Sequence, residues 1–252
     1  MNFPENLVDR LHNSKNIVVF TGAGVSAESG VATFRDALTG LWARFDPMQL
    51  ATPQAFVRDP ALVWGWYEWR RQLLLQAEPN PAHLTIAQLQ QKVANFQLVT
   101  QNVDDLHERA GSKNVIHLHG CIFSPRCFDC AVSYSFSAAP DMQQEVKIPP
   151  PACTSCGGMI RPGVVWFGEA LPQGEFQAAC EAAAQADLML VVGTSGLVQP
   201  AAMLPALALR NNATVVHINP DAHQSGQPNE FALRGTAGNI LPLLLAQLHH
   251  SK

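Results

Sequence analysis

The stretch NIVVFTGAGVSA, residues 16–27, decides the fold because an apolar, β-branched run passes directly into a glycine-rich turn. The run predicts a buried strand of a parallel sheet over residues 16–20. The turn fits the Gly-x-Gly-x-x-Ala variant of the dinucleotide-binding fingerprint, with Gly22, Gly24 and Ala27 at its fixed positions. We expect residues 26–29 to begin a helix whose N-terminus faces a phosphate.

Four more apolar runs have the same character and extend this strand into a sheet. They lie at residues 96–100, 115–119, 187–193 and 213–219, and most have segments of helical period as neighbours. The sequence therefore predicts an α/β fold, a Rossmann-like parallel sheet with helices on both faces.

Four of the six cysteines form two close pairs, Cys127-x-x-Cys130 and Cys153-x-x-Cys156, with 22 residues between the pairs. Two tight turns of this kind can bring four thiolates to one tetrahedral zinc ion. Two disulfides are the alternative, and a reducing compartment together with the glycines after the second pair favours the metal. We predict one structural zinc ion, because a site closed by four thiolates has no open coordination position.

Two long stretches break the alternation of strands and helices. One is the aromatic-rich region at 37–83 and the other is the cysteine region at 121–160. We predict that they form a smaller lobe, with a helical module in the first stretch and a zinc-binding ribbon in the second. The Rossmann-like domain is then discontinuous and comprises residues 1–36, 84–120 and 161–252.

Composition limits the class of protein. The 252 residues are 47% hydrophobic and 14% charged, which suffices for a sizeable core in one large domain or one and a half ordinary domains. The formal net charge of -4 argues against a protein that mainly neutralises nucleic-acid phosphates. No apolar run approaches the roughly 18 to 20 residues of a spanning helix, and the N-terminal region lacks a signal-peptide pattern. We expect a cytoplasmic protein with no membrane association.

Polar or glycine-rich turns follow the predicted strands. They are TQNVDD at 100–105, GTS at 193–195 and INPD at 218–221, in addition to the glycine turn after the first strand. Ligands of open α/β sheets bind outside the carboxyl ends of the strands, so these turns are predicted to line one site for a nicotinamide dinucleotide. No clean second strand ends in an acid about twenty residues after the glycines, which argues against an ordinary dehydrogenase.

His119 is the candidate for chemistry beside this site, together with the short polar side chains of Asn102 and Asp104. Histidine suits general-base work near neutral pH, although a strand-end histidine can equally be a structural hydrogen-bond partner. His117 shares the sheet face with His119 because residues two apart in a strand point the same way. Only His119 ends the strand, so it is the better candidate.

Taken in order, the motifs resemble the sirtuin family of NAD-dependent protein-lysine deacylases from residue 16 to about 245. The resemblance rests on TGAGVSAESGVATFRD at 21–36, TQNVDDLHERAG at 100–111, HLHG at 117–120, the two cysteine pairs, RPGVVWFGE at 161–169, GTS and INP. It is greatest to the bacterial desuccinylase-like class III proteins, whose mark is a Tyr-x-x-Arg pair in the helical module. The resemblance implies removal of acetyl, and of succinyl or malonyl, groups from lysine, which yields nicotinamide, O-acyl-ADP-ribose and free lysine.

The resemblance also implies roles for individual residues. His119 is the implied proton acceptor and Asn102 the second catalytic residue. The implied NAD contacts are Gly22, Ala23, Gly24, Phe34, Arg35, Gln101, Asn102, Asp104, Gly193, Thr194, Ser195, Asn219 and Ala237. A substrate peptide is expected to add as a strand along VVWFGE, residues 164–169. The implied substrate contacts in that segment are Val165, Phe167, Gly168 and Glu169.

The segment WGWYEWRR, residues 64–71, carries the implied selectivity pair. Tyr67 and Arg70 lie three apart on one side of a predicted helix, where a guanidinium and a hydroxyl can together bind the carboxylate of an acyl chain. Ala51 matches the small residue that widens the acyl tunnel in this class. We expect the tryptophans of the segment to pack the small lobe and Arg71 to remain solvated. A purely structural pair is the alternative interpretation.

One departure from the family pattern concerns Ala32 and Thr33, which replace a common Pro-Asp pair. Threonine agrees with the desuccinylase-like class, and Ala32 is expected to loosen the loop slightly. Two other functions are alternatives: a non-catalytic binder of ADP-ribose or acyl-lysine, and a zinc-ribbon nucleic-acid module. The second is disfavoured because the cysteine region and its edge carry only Arg126, Lys147 and Arg161 as cations. The expected partners are acyl-lysine proteins, with a monomer as the default state.

Overall fold

The computed structural model describes residues 3–32, 45–136, 147–223 and 226–248. The strands are β1 Asn16–Thr21, β2 Asn95–Thr100, β3 Ile116–His117, β4 Arg126–Cys127, β5 Ile160–Arg161, β6 Leu188–Val192, β7 Thr214–Ile218 and β8 Glu230–Leu233. The six-stranded sheet has the order β3-β2-β1-β6-β7-β8, and a second sheet pairs β4 with β5. All pairings in the large sheet are parallel.

Helices cover both faces of the large sheet, as the sequence predicts. The helices are α1 Glu5–Asn13, α2 Pro47–Leu50, α3 Pro53–Arg58, α4 Pro60–Gln76, α5 Pro81–Lys92, α6 Leu106–Arg109, α7 Gln173–Gln185, α8 Leu204–Arg210 and α9 Ala237–Gln247. Alternate residues of β1 face two different cores: Ile17 and Val19 pack with α1, α5 and α9, whereas Val18 and Phe20 pack with α7 and α8. The predicted α/β class is confirmed.

The strand order reverses between β1 and β6, and this switch point positions the ligand crevice of a Rossmann-like sheet. The two turns that leave these strands meet backbone to backbone, since the Gly24 amide donates to the Gly193 carbonyl at 2.8 Å. A Cβ on Gly24 would lie 2.7 Å from that same oxygen, and Gly193 itself has a φ of +60°. Glycine is therefore required on both sides of this contact.

The helix predicted at residues 26–29 is wrong. Two short 3₁₀-helices, Ala23–Val25 and Ala27–Ser29, follow the glycine turn, and Gly30 ends them in the left-handed region with a φ of +76°. The chain then leaves the sheet to build the small lobe, so the crossover helix between β1 and β2 is α5, which packs against the sheet from Ala82 onward.

The two irregular stretches pack into one apolar cluster. It joins Phe56 and Trp66 of the helical stretch to Ile122 and Trp166 around the cysteine stretch. A second cluster places Trp64 against the cysteine turns. We keep residues 37–83 and 121–160 as the proposed limits of the two modules.

α4 begins where Asp59 accepts a hydrogen bond from the Leu62 amide at 3.1 Å, with a proline in the first turn. The expectation that Arg71 is solvated is wrong. Its guanidinium binds Glu68 one turn earlier, with a shortest N···O distance of 2.6 Å and exposures of 5% and 4% for the two side chains. It also lies 3.9 Å from the ring centroid of Phe136. A partner on the same helix face lets the charge be buried.

None of the apolar runs in the sequence predicts β8, the edge strand. It is only four residues long and begins with an acid, Glu230, which the ring of His217 on β7 contacts at 2.7 Å. Within the described ranges, no helix has both the length and the apolar character needed to cross a membrane.

Candidate active site

A buried polar network lies at the carboxyl end of β2. The Ser26 hydroxyl accepts from the Asn102 amide at 3.0 Å and donates to the Asp104 carboxylate at 3.1 Å. The ring of His83, from α5, lies 3.4 Å from the same hydroxyl. Asn102 and Asp104 are thereby held in fixed orientations by a residue of the glycine turn.

Burial shifts the ionisation of this network toward neutral forms. It raises the pKa of Asp104, against the opposing hydrogen bonds from Leu106 and Ser26. It lowers the pKa of His83 to about 4 and that of His107 well below its ordinary value. Both histidines are therefore neutral at pH 7.

His119 has one ring nitrogen fixed and one left for chemistry. Its Nδ1 lies 2.9 Å from the Gln101 carbonyl oxygen. Because a carbonyl can only accept, Nδ1 carries the hydrogen and Nε2 carries the lone pair. Burial lowers the pKa of His119, so the ring is neutral and able to accept a proton at pH 7.

His117 differs in having both nitrogens engaged. Its Nε2 lies 2.7 Å from the Glu108 carboxylate and its Nδ1 lies 3.2 Å from the Asn102 carbonyl. Burial acts to lower the pKa of His117, but the hydrogen bond and charge of Glu108 raise it above the ordinary value. The predicted strand end at His119 is wrong, because β3 ends at His117 and His119 lies in the turn that follows it. His119 stays the candidate base because its Nε2, unlike that of His117, has no hydrogen-bond partner among the described residues.

The other strand ends converge on Thr194. Its hydroxyl accepts from the Gln101 amide at 2.9 Å, and its carbonyl accepts from the Asn219 amide at 3.2 Å. Ser195 is exposed beside it, and Ala237 is the buried first residue of α9. The ends of β2, β6 and β7 therefore form one continuous edge. Two further predicted contacts, Phe34 and Arg35, lie outside the described residues, as does Thr33.

The segment 164–169 links this edge to the small lobe. The Val165 amide donates to the His119 carbonyl at 2.8 Å, and the Phe167 amide donates to the Ala51 carbonyl at 2.9 Å. Among the described residues, the Val165 carbonyl and the Gly168 amide have no hydrogen-bond partner. Such unpaired backbone groups on an extended segment are typical of a place where a peptide adds as a strand.

Glu169, predicted as a substrate contact, is occupied by the chain itself. Its two oxygens bind the Arg161 guanidinium at 2.5 and 2.9 Å, and one of them also accepts from the Trp166 amide at 2.8 Å. The structure therefore gives this carboxylate a role in holding the segment in shape.

Tyr67 and Arg70 lie one turn apart on α4, where Tyr67 faces the segment 164–169. Tyr67 is 5% exposed, and its hydroxyl accepts from the Trp166 indole at 3.1 Å. Burial raises its pKa, so the phenol stays protonated. Burial lowers the pKa of Arg70, and the neighbouring Tyr67 and Asp104 oppose that shift.

The four predicted metal ligands come together. Their sulfur atoms all lie within 4.8 Å of one another, and the pairs Cys127–Cys156 and Cys130–Cys153 are 3.5 and 3.7 Å apart. Tetrahedral Zn–S bonds of about 2.3 Å would place sulfurs about 3.8 Å apart, so the cluster fits zinc.

Sequence reasoning missed Ser26, His83, His107 and Trp166 as parts of the site. Their roles come from contacts between segments distant in sequence, such as the 99 residues that separate Trp166 from Tyr67. The only signal was that Ser26, His107 and Trp166 lie within motifs quoted above.

The fold and the site define a two-lobed α/β protein with a dinucleotide-type crevice, a neutral histidine at its edge and a four-cysteine metal site. The model of the Sir2 family matches residues 22–200. This chain belongs to the Sir2 family, which confirms its resemblance to the sirtuins.

Individual relatives agree with that assignment. The chain is 58% identical over 242 residues to a protein of Pseudomonas aeruginosa named NAD-dependent protein deacylase 1, covering 95% of this chain and 96% of the relative. A crystal structure of a Sir2 homolog–NAD complex has a TM-score of 0.89 at 45% identity, covering 98% and 94%. A structure described as Sir2–p53 peptide–NAD⁺ has a TM-score of 0.82 at 29% identity, covering 98% and 99%.

Proposed function

We propose that this protein is an NAD-dependent protein-lysine deacylase that removes acetyl, and succinyl or malonyl, groups. The observation that carries the proposal is the geometry of His119, whose Nδ1 is tied to the Gln101 carbonyl while Nε2 stays free to accept a proton. The names of its relatives, which include NAD-dependent deacylases and NAD complexes, support the same reaction.

NAD would be held along the carboxyl edge of the sheet, where Gly22 and Gly24 let the turns meet closely enough to form a cradle. When bound, it supplies a nicotinamide leaving group and an ADP-ribosyl acceptor for the acyl group. The proposed contacts are Gly22, Ala23, Gly24, Phe34, Arg35, Gln101, Asn102, Asp104, Gly193, Thr194, Ser195, Asn219 and Ala237.

The residues of the chain act by positioning and by proton transfer. Asn102 and Asp104, oriented by Ser26, would place the ribose and the amide end of the co-substrate. The Nε2 atom of His119 would accept the proton of a ribose hydroxyl. Its low pKa keeps it unprotonated for this task.

The acyl-lysine would enter beside residues 164–169, with its peptide paired to the open Val165 carbonyl and Gly168 amide. Phe167, whose side chain is 40% exposed, would cover the lysine stem. Ala51 leaves room for the acyl chain, and Tyr67 with Arg70 would bind a terminal carboxylate through three hydrogen bonds.

The four cysteines would hold one structural zinc ion, whose coordination shell they fill. Thiols that remain reduced suit the cytoplasm, which we propose as the compartment. A monomer is the proposed state, and size-exclusion chromatography with light scattering tests it.

The reaction is tested with an acetyl-lysine peptide and NAD, by measuring nicotinamide and O-acyl-ADP-ribose with mass spectrometry. His119→Asn should lower kcat by about 10²- to 10⁴-fold, the usual contribution of a general base. ADP-ribose affinity measured by calorimetry should stay unchanged. His12→Asn, on the exposed face of α1, is the matched control. A wild-type protein that binds ADP-ribose but forms no O-acyl-ADP-ribose with any acyl peptide is a non-catalytic binder, and the proposal is then wrong.

Acyl selectivity is tested with acetyl, malonyl, succinyl and glutaryl versions of one peptide. Arg70→Met should lower kcat/KM for the acidic acyl groups about 10- to 100-fold, the value of a charge-assisted hydrogen-bonded pair. Deacetylation should stay within about twofold. Arg58→Met, an exposed arginine of the same lobe, is the matched control. An equal loss on all peptides would make the pair structural.

A further inference from the structure

Arg161, Trp166 and Glu169 of the segment 161–169 contact one another around the Trp166 indole ring. The Arg161 guanidinium lies 3.6 Å from the ring centroid of Trp166, and both oxygens of Glu169 bind that guanidinium. Glu169 also accepts from the Trp166 amide at 2.8 Å. Trp166 is 1% exposed and packs within the surrounding apolar cluster. The guanidinium of Arg161 therefore fixes the face of the indole, and Glu169 fixes the backbone amide of the same residue.

The indole N–H of Trp166 is directed at the Tyr67 hydroxyl, 3.1 Å away across the boundary between segment 161–169 and α4. An indole nitrogen can only donate, so the hydroxyl oxygen is the acceptor in this bond. The hydrogen of the hydroxyl must therefore point elsewhere. The direction of the Tyr67 O–H bond is set by Trp166.

That hydrogen has no acceptor among the described residues, although Tyr67 is 5% exposed. A buried donor without a partner costs about 1 to 3 kcal/mol, so such a group points to an acceptor supplied by a ligand. The guanidinium of Arg70 cannot fill this role because it carries donors only. Tyr67 and Arg70 thus present donors alone, which suits an anionic acceptor.

The position of Trp166 connects the donors of Tyr67 and Arg70 to the carboxyl edge of the sheet, where the proposed base His119 lies. The residue before it, Val165, donates its amide to the His119 carbonyl at 2.8 Å, and the residue after it donates to Ala51. The same short segment therefore contacts the proposed base, the wall of the acyl tunnel and the Tyr67 hydroxyl.

We propose that Trp166 is a positioning residue for acyl selectivity: its indole N–H occupies a lone pair of the Tyr67 hydroxyl and leaves the hydroxyl hydrogen for the carboxylate of a dicarboxylic acyl-lysine. This inference rests on the proposed function, since it names the residue that orients the Tyr67 and Arg70 pair. Trp166 touches no substrate in this role and acts through Tyr67.

The test is Trp166→Phe, which keeps an aromatic ring and removes the N–H. For a succinyl-lysine peptide, kcat/KM should fall roughly three- to tenfold, the value of one neutral hydrogen bond, and KM should account for most of the change. The acetyl-lysine peptide should change less than about twofold. Trp64→Phe, which alters a buried tryptophan packed against the cysteine turns, is the matched control and should leave the ratio unchanged.

A double-mutant cycle shows whether Trp166 acts through Tyr67. Tyr67→Phe should lower succinyl selectivity, and adding Trp166→Phe should then have no further effect on the ratio. An equal loss on both peptides, or a loss that persists in the Tyr67→Phe background, would overturn the inference.

Binding measurements separate this inference from the proposed reaction. Calorimetry with succinyl-lysine and acetyl-lysine peptides, in the presence of ADP-ribose, reports selectivity without turnover. A wild type that binds the succinyl peptide more tightly but turns over neither peptide contradicts the proposed function alone. A wild type that deacetylates and shows no preference for the succinyl peptide contradicts the inference alone.

Discussion

Two regions of the molecule bury ionisable groups in opposite ways. Around the end of β2, His83 and His107 are kept neutral by burial, and the Asp104 carboxyl has a raised pKa within a hydrogen-bonded network. Around the apolar cluster that joins α4 to residues 161–169, buried charges are paired: Arg71 binds Glu68, and Arg161 binds both oxygens of Glu169.

The difference agrees with the proposed function. A neutral histidine can accept a proton and change its hydrogen bonds during a reaction, whereas a buried ion pair resists any change because separating it leaves an unpaired charge. The region around the end of β2 thus lies beside the groups that we propose to react, and the paired charges provide a rigid frame. Four predictions test this contrast.

Metal removal should have the largest effect. Cys127 and Cys153 pack with Trp64 in the core of the small lobe, so loss of zinc should unfold that lobe. Structural zinc contributes on the order of 10 kcal/mol in isolated zinc-finger peptides. Dialysis against a chelator should lower Tm and abolish activity, and added Zn²⁺ should restore both. Cys180→Ser, on α7 outside the quartet, is the control. An unchanged melting curve in protein shown by elemental analysis to be metal-free would refute the prediction.

Breaking the buried pair on α4 should come next. Glu68→Ala leaves the Arg71 charge unpaired and should cost about 3 to 5 kcal/mol in the free energy of unfolding. Replacing both residues by leucine should recover most of that loss. Urea denaturation of the single and double variants measures the coupling. Additive losses in the double variant would show that the two charges do not depend on each other.

Acid should destabilise the fold through the neutral side chains of His83 and His107. The pKa of His83 is about 4 in the folded chain, against about 6.5 when unfolded. The unfolded chain thus binds more protons between these values, so stability is full above pH 6.5 and is lost as pH falls toward 4. Between pH 6.5 and pH 5, protonation of His83 in the unfolded chain should lower the free energy of unfolding by about 1.5 kcal/mol. His107 acts in the same direction.

Urea denaturation across that pH range measures the slope of the free energy of unfolding against pH. His83→Gln should remove the share that belongs to His83. An identical slope in wild type and His83→Gln would show that protonation of His83 does not contribute to the pH dependence of stability.

Two exposed carboxylates at opposite ends of the large sheet should give the smallest effects. Glu28 accepts from the Thr236 hydroxyl at 2.9 Å and the Gly238 amide at 2.7 Å, whereas Asp187 accepts from two amides near β1 at 2.8 Å each. Glu28→Gln and Asp187→Asn should each cost roughly 1 kcal/mol.

Only Glu28→Gln should raise KM for NAD, by several-fold, because Glu28 fixes the first turn of α9, where Ala237 lies. Steady-state kinetics compares the two variants. Equal KM values would show that this turn does not contribute to the co-substrate site.

The sheet could be predicted from sequence because its signals are local. A buried parallel strand needs a continuous apolar run, and β1, β2, β6 and β7 have one. The metal site was predictable for the same reason, since each pair of cysteines needs only a tight turn. The 3₁₀-helices after the glycine turn were not, because the contact with Gly193 that shapes them joins distant segments.

The sequence by itself determined the α/β class and the four thiolates, since each follows from residue type and short spacing, and it predicted His119 as the candidate base. Only the tertiary structure decided that Arg71 is buried, that Ser26 orients Asn102 and Asp104, and that Trp166 faces Tyr67. These outcomes depend on which segments, distant in sequence, share a buried contact. Burial decides whether a charge is paired and where a hydroxyl points its hydrogen, and local sequence does not encode it.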